Sequence, residues 1–200
     1  MPKKGSETMI DKMVRKMLGA GNTSDANQFE VCNLRQELVS SVLQIERACF
    51  RDPYTYHSVS YLVDRFVPVS MWVVALDDRT AGGYVLVKNS NDRSAQILAI
   101  GVDPKCRYAG IGRTLVDFVC RRVAPGKAIL AAAPESRLES QQFFSACGFG
   151  CISTFSRYYS DGGSALIFQR RPSKKQKPFY SGWQRNIHGT MQPRVAPGSR

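Results

Sequence analysis

Metal-ligand spacings and membrane-spanning runs are both missing from this sequence. Only two histidines, His57 and His188, occur in its 200 residues, and its six cysteines form no Cys-x-x-Cys pair. That argues against a zinc site, and no metal is expected. No apolar run approaches the ~20 residues of a membrane span, and the first residues lack the apolar core of a signal peptide. The expectation is therefore a cytoplasmic protein with no membrane partner. Cysteines stay reduced in that compartment, and four of the six sit within apolar patterns, which favours packing thiols over disulfides.

Acidic residues are scarce as well, with 16 Asp/Glu against 28 Lys/Arg and a net charge of +12. The deficit belongs to the ends. Residues 1–22 carry five Lys/Arg against Glu7 and Asp11, and residues 170–200 carry eight Lys/Arg and no acid, whereas 23–169 is nearly balanced. The organisation expected is a flexible basic extension over 1–26, one domain over 27–171 and a basic, disordered tail over 172–200. In the extension, Met9, Ile10, Met13 and Met17 share one helical face, which fits a docking helix or a frayed one. In the tail, Lys174, Lys175, Lys177 and Arg185 interleave with Phe179, Tyr180 and Trp183. That pattern offers phosphate partners and stacking faces to RNA or a ribosome, although a merely solvated tail fits the composition too.

Between the ends, periodicity predicts a mixed fold. A short strand at 29–32 precedes a helix over 35–49 whose Leu38, Val42, Ile45 and Cys49 share a face, and a second short helix is expected at about 58–66. Met71–Ala75 and Gly82–Val87 read as a hairpin around Asp77-Asp78-Arg79, followed by a strand over about 94–102. A helix at 110–123, a strand at 128–132, a helix at 138–147 and strands near 149–157 and 163–170 complete the domain. Strands first in a meander and then alternating with helices imply an α+β fold.

The most informative stretch is Ile97–Val119, ILAIGVDPKCRYAGIGRTLVDFV. An apolar strand leads through a proline turn into Arg107-Tyr108-Ala109-Gly110-Ile111-Gly112, which opens an amphipathic helix. Glycines let a backbone approach a ligand closely, and the first-turn amides of a helix lack internal partners, so an anion is favoured there. A tight turn at a helix start would need the same small residues. No Gly-Lys-Ser/Thr is present, so this is no Walker loop, and Leu115 breaks the Gly-x-Gly-x-x-Gly dinucleotide pattern.

Arg-x-x-Gly-x-Gly, with Val102-Asp103-Pro104 just before it, resembles the acetyl-CoA motif of the GNAT family of N-acetyltransferases. Leu43–Phe50 with Asp52-Pro53-Tyr54, Gln142–Phe149, and Arg157-Tyr158-Tyr159 with Ala165-Leu166-Ile167 are similar to the branch that acetylates protein N-termini, including the ribosomal-protein alanine acetyltransferases. The likeness spans about residues 29–170. It implies a mixed, mostly antiparallel central sheet flanked by helices. It also implies direct acetyl transfer from acetyl-CoA, the co-substrate, to a protein or peptide N-terminal amine. The cofactor would lie along Ile100, Gly101 and Val102, its pyrophosphate held by Arg107, Tyr108, Ala109, Gly110, Ile111, Gly112 and Arg113. Acetylation of a small amine or an aminoacyl-tRNA, or a catalytically weak acyl-CoA-binding module, are the alternatives.

The sequence departs from that branch where protons move. The base of the resembling enzymes, a Glu, corresponds to Ala132 here, and their proton-donating Tyr corresponds to Phe144. Candidate replacements are Glu46, Glu135 and His57 as bases and Tyr158 and Tyr159 as acids. Weak base catalysis disfavours lysine acceptors: an α-amine is about 10 to 20% neutral near pH 7, a lysine well under about 1%.

Overall fold

A computed structural model describes residues 29–63, 69–89, 94–122, 127–171, 183–185 and 191–193. Seven strands form its main sheet: β1 (Val31–Asn33), β2 (Val69–Ala75), β3 (Ala81–Asn89), β4 (Ser94–Val102), β5 (Ala128–Pro134), β6 (Gly150–Phe155) and β7 (Ala165–Arg170). They lie in the order β1-β2-β3-β4-β5-β7-β6. Neighbours are antiparallel except β4 and β5, which run parallel.

Both faces of the sheet are covered by helices, as the alternating strand residues require. On one side α1 (Val39–Cys49) and α2 (Tyr56–Ser60) pack Val42, Ile45 and Val59 into a core with Met71, Val73, Tyr84 and Leu86. On the other, α3 (Ile111–Arg122) and α4 (Leu138–Ala146) bring Ile111, Leu115 and Phe144 onto Trp72, Val85, Ile97 and Phe168. Strands β2 and β3 are buried on both faces, so their sequences are continuously apolar rather than alternating. The mixed, mostly antiparallel sheet flanked by helices matches the expectation.

Several boundaries moved. The helix expected over 35–49 begins as a 3-10 turn at Gln36–Leu38 before α1. The helix expected at 58–66 starts earlier, at Tyr56, because the Thr55 hydroxyl accepts the Ser58 N–H at 3.3 Å and caps the turn there. Residues 64–68 lie outside the described residues, as does the Met9–Leu18 segment. In the tail, expected to be without structure, β8 (Trp183–Arg185) pairs antiparallel with β9 (Met191–Pro193). Lys174, Lys175, Lys177, Phe179 and Tyr180 lie outside the described residues. All six cysteines are free thiols.

One irregularity in β4 creates the site. Leu86 pairs with Ala99 and Val87 with Ile97, which leaves Leu98 as an extra residue in a β-bulge. An added residue exchanges the faces of everything beyond it. Before the bulge Ala95 and Ile97 belong to the α3 core; after it Ile100 and Val102 pack there, while Ala99 joins the α1 core. The β4–β5 pairing ends at the same point, with Ile97 opposite Ala131. Beyond it the sheet is open between the two strands.

Candidate active site

Two cavities meet in that opening. The first, of about 640 Å³, lies at the amino end of α3, and the second, of about 560 Å³, lies between α1 and the loop joining β6 to β7. Phe50, Ile100, Arg137, Ser140 and Phe144 border both, so the two cavities adjoin where β4 and β5 part.

The first cavity collects the sequence-predicted cofactor residues. Nine of the ten line it; Ala109 instead packs against the apolar core. Gly110 has φ +91°, a conformation that favours glycine, and a Cβ there would meet nothing within 4 Å. Tyr108 adopts φ +64° without that freedom and is 94% exposed, so the loop before α3 is held strained and open. Gly112 has a packing reason of its own, since a Cβ would stand 2.8 Å from the Phe143 ring. The first α3 turn bond runs from the Thr114 N–H to the Gly110 carbonyl at 2.9 Å, so the amides of Ile111, Gly112 and Arg113 precede it. A guanidinium nitrogen of Arg113 donates to the Ala146 carbonyl at 2.7 Å, and one of Arg107 lies 3.8 Å from the Cys49 sulfur.

The second cavity is lined by carboxyl, guanidinium and hydroxyl groups. Glu46 of α1 is 1% exposed. Its Oε2 accepts the Tyr54 N–H at 2.9 Å, while Oε1 is buried with no partner. Burial raises the carboxyl's pKa, and the Tyr54 hydrogen bond only partly opposes that. The Tyr159 phenol is pushed up to about 12, first by burial and then by Tyr158, with Arg137 acting the other way. Two ties join the loop after α1 to the β6–β7 loop: Arg51 to Asp161 at 3.1 Å and the Ser160 hydroxyl to Asp52 at 3.1 Å.

The sequence-predicted proton-transfer candidates therefore divide. Glu46 and Tyr159 line the second cavity, as does Ala132. Glu135, His57 and Tyr158 line neither cavity; all three are exposed, and Tyr158 packs edge-on against Tyr159 with ring centres 5.0 Å apart. Sequence reasoning missed Arg137 and Ser140. The spacing of Ser140 four residues before Phe144 places them on one helical face and was the available signal.

Among the described residues no three His, Cys, Asp or Glu side chains come together to hold a metal, and no helix is long and apolar enough to cross a membrane. A family profile of GNAT acetyltransferases matches residues 39–149, which span α1 through the turn into β6. The chain belongs to the GNAT acetyltransferase family. No curated protein matches the sequence of this GNAT domain. The fold is similar to that of the ribosomal-protein-S18-alanine N-acetyltransferase from Escherichia coli, at 17% identity and TM-score 0.60, covering 76% of this chain and 98% of that one. Arabidopsis thaliana NAA60, solved with acetyl-CoA, is similar at 16% identity and TM-score 0.60, covering 70% and 98%. Spermidine/spermine N-acetyltransferase SpeG from Vibrio cholerae is similar at 15% identity and TM-score 0.60, covering 74% and 95%.

Proposed function

We propose that this GNAT domain moves an acetyl group from acetyl-CoA to the N-terminal amine of a protein or peptide by direct transfer. The observation that carries the reading is the pair of adjoining cavities, one at an anion-receptive helix end and the other lined by a buried carboxyl. The first cavity suits the cofactor: Gly110 is open toward it, three α3 amides are unused by the helix, and Arg107 and Arg113 border it. Those groups would hold the pyrophosphate, and Ile100, Gly101 and Val102 would line the arm that reaches through the sheet. Bound there, acetyl-CoA supplies an activated acyl thioester.

Glu46 is the base in this reading. Glu46 lines the acceptor cavity with its buried Oε1 unpartnered, and a raised pKa suits a carboxyl that must take a proton from an amine near neutral pH. Glu135 and His57 lie outside both cavities and cannot serve without a rearrangement. Folds of this kind carry peptide and polyamine acceptors alike, so the choice rests on amine chemistry. An N-terminal amine already supplies about 10 to 20% neutral nucleophile near pH 7, roughly several hundredfold more than a lysine.

Mass spectrometry of a peptide panel tests this. Peptides with free N-termini should be acetylated more than about tenfold faster than N-blocked peptides with internal lysines. Equal rates on the two sets overturn the N-terminal assignment.

A further inference from the structure

Acetyl transfer leaves negative charge on sulfur, and the α4 position that faces this step holds Phe144. Its ring is buried against Phe143, Phe149 and Phe168 and has no proton to give. The sulfur must separate where the cofactor cavity meets the acceptor cavity, because the acyl carbon is approached from the second while its leaving group is held in the first. Of the five residues bordering both, Phe50, Ile100 and Phe144 have hydrocarbon side chains; Arg137 and Ser140 are the two with polar hydrogens.

These two are also arranged as a unit. Arg137 is the N-cap residue of α4, and Ser140 follows three positions later, one turn before Phe144 on the same face. A guanidinium nitrogen of Arg137 donates to the Cys49 carbonyl at 3.0 Å, which anchors the side chain across the cleft on the end of α1. Around the junction, α1 contributes Cys49 and Glu46 and α4 contributes Glu139. Arg51, Asp52, Tyr159 and Asp161 approach from the acceptor side, and Arg107 with the thiols of Cys106 and Cys147 from the cofactor side.

We infer that Arg137 and Ser140 together stabilise the departing CoA thiolate, in place of a proton-donating phenol. This rests on the acetyl transfer proposed above. The amine lone pair forms the C–N bond, the C–S electron pair passes to sulfur, and the proton lost from nitrogen goes to the Glu46 carboxylate. The sulfur remains anionic against the guanidinium while accepting the Ser140 O–H. On leaving, CoA takes a proton from water and Glu46 returns its own to solvent. Arg137 stays charged throughout, so no acid has to be reset.

A thiolate-binding site must bind CoA more tightly as the thiol ionises. Titration calorimetry of the full chain with CoA and with its desulfo analogue, from pH 6.5 to 9.5, reads this without turnover. For the wild type the ratio of affinities, CoA over desulfo-CoA, should rise severalfold with pH, since each unit by which the bound thiol's pKa is lowered is tenfold in affinity. Arg137→Met should flatten that rise, Arg137→Lys should restore most of it, and Ser140→Ala should lower it while leaving desulfo-CoA binding unchanged. A ratio that is flat in the wild type, or that rises equally in Arg137→Met, overturns the inference. Failure of the wild type to bind either ligand would instead overturn the cofactor site itself.

Discussion

Glu46 places its burial and its chemistry in opposition. A carboxyl 1% exposed, with one oxygen unpartnered, is held on the apolar side of α1, and burial raises its pKa above the ordinary 4.5. The folded state therefore binds a proton more tightly than the unfolded chain. Stability from this group is full below about pH 4.5 and is lost as pH rises through the higher folded value. Glu46→Gln keeps the shape and removes the charge. Acetylation should fall by about 10²- to 10⁴-fold, the usual weight of a general base, while resistance to urea at pH 7.5 stays level or rises relative to wild type. Paired urea titrations at pH 4.5 and 7.5, with initial rates on one peptide, check both halves; a variant with wild-type rate removes Glu46 as base. The signal was present in the sequence, where Val39, Val42, Leu43 and Glu46 follow helical spacing and a carboxylate interrupts an apolar stripe. Arg137 carried no such signal, because its significance depends on where β4 and β5 part, a contact between segments distant in the chain.

At the scale of elements, β4 and the loop into α3 set the geometry. The span of β4 and the start of α3 were readable because an apolar run ends in Asp-Pro and then changes to helical periodicity. The bulge at Leu98 was not. Ile97, Leu98, Ala99 and Ile100 run apolar without a break, so the added residue, Leu98, leaves no mark in hydropathy. Yet that bulge turns Ile100 and Val102 toward the α3 side and opens the gap that makes the cleft. Gly110 is the loop's most sensitive point. At φ +91° an added Cβ finds space but not a favoured backbone. Gly110→Ala should cost about 1–2 kcal/mol of stability. It should weaken CoA binding more than tenfold through a shift of the α3 amides, read by thermal unfolding and calorimetry on the same preparation. Unchanged CoA affinity would mean that the pyrophosphate is held elsewhere.

Over the whole molecule, charge is separated from chemistry. Residues 23–169 are nearly balanced, and the surplus of positive charge lies at the two ends. The tail from 172 to 200 holds Lys174, Lys175, Lys177, Arg185, Arg194 and Arg200 with no acid to pair them, and Phe179, Tyr180 and Trp183 lie among them. Such a segment attracts polyphosphate chains and adds faces on which bases stack, so we propose that it holds the protein to RNA near its acceptor. Binding of that kind releases counterions. For single-stranded RNA the slope of log affinity against log salt is about −0.7 for each neutralised phosphate, so all six cations engaged would give about −4. Fluorescence anisotropy between 50 and 300 mM salt should show that slope for the full chain and lose most of it when residues 172–200 are removed. Acetylation of a free peptide, which needs only the cleft, should be unaltered by the same deletion. Equal slopes with and without the tail would place any RNA contact on another surface and leave the tail without this role.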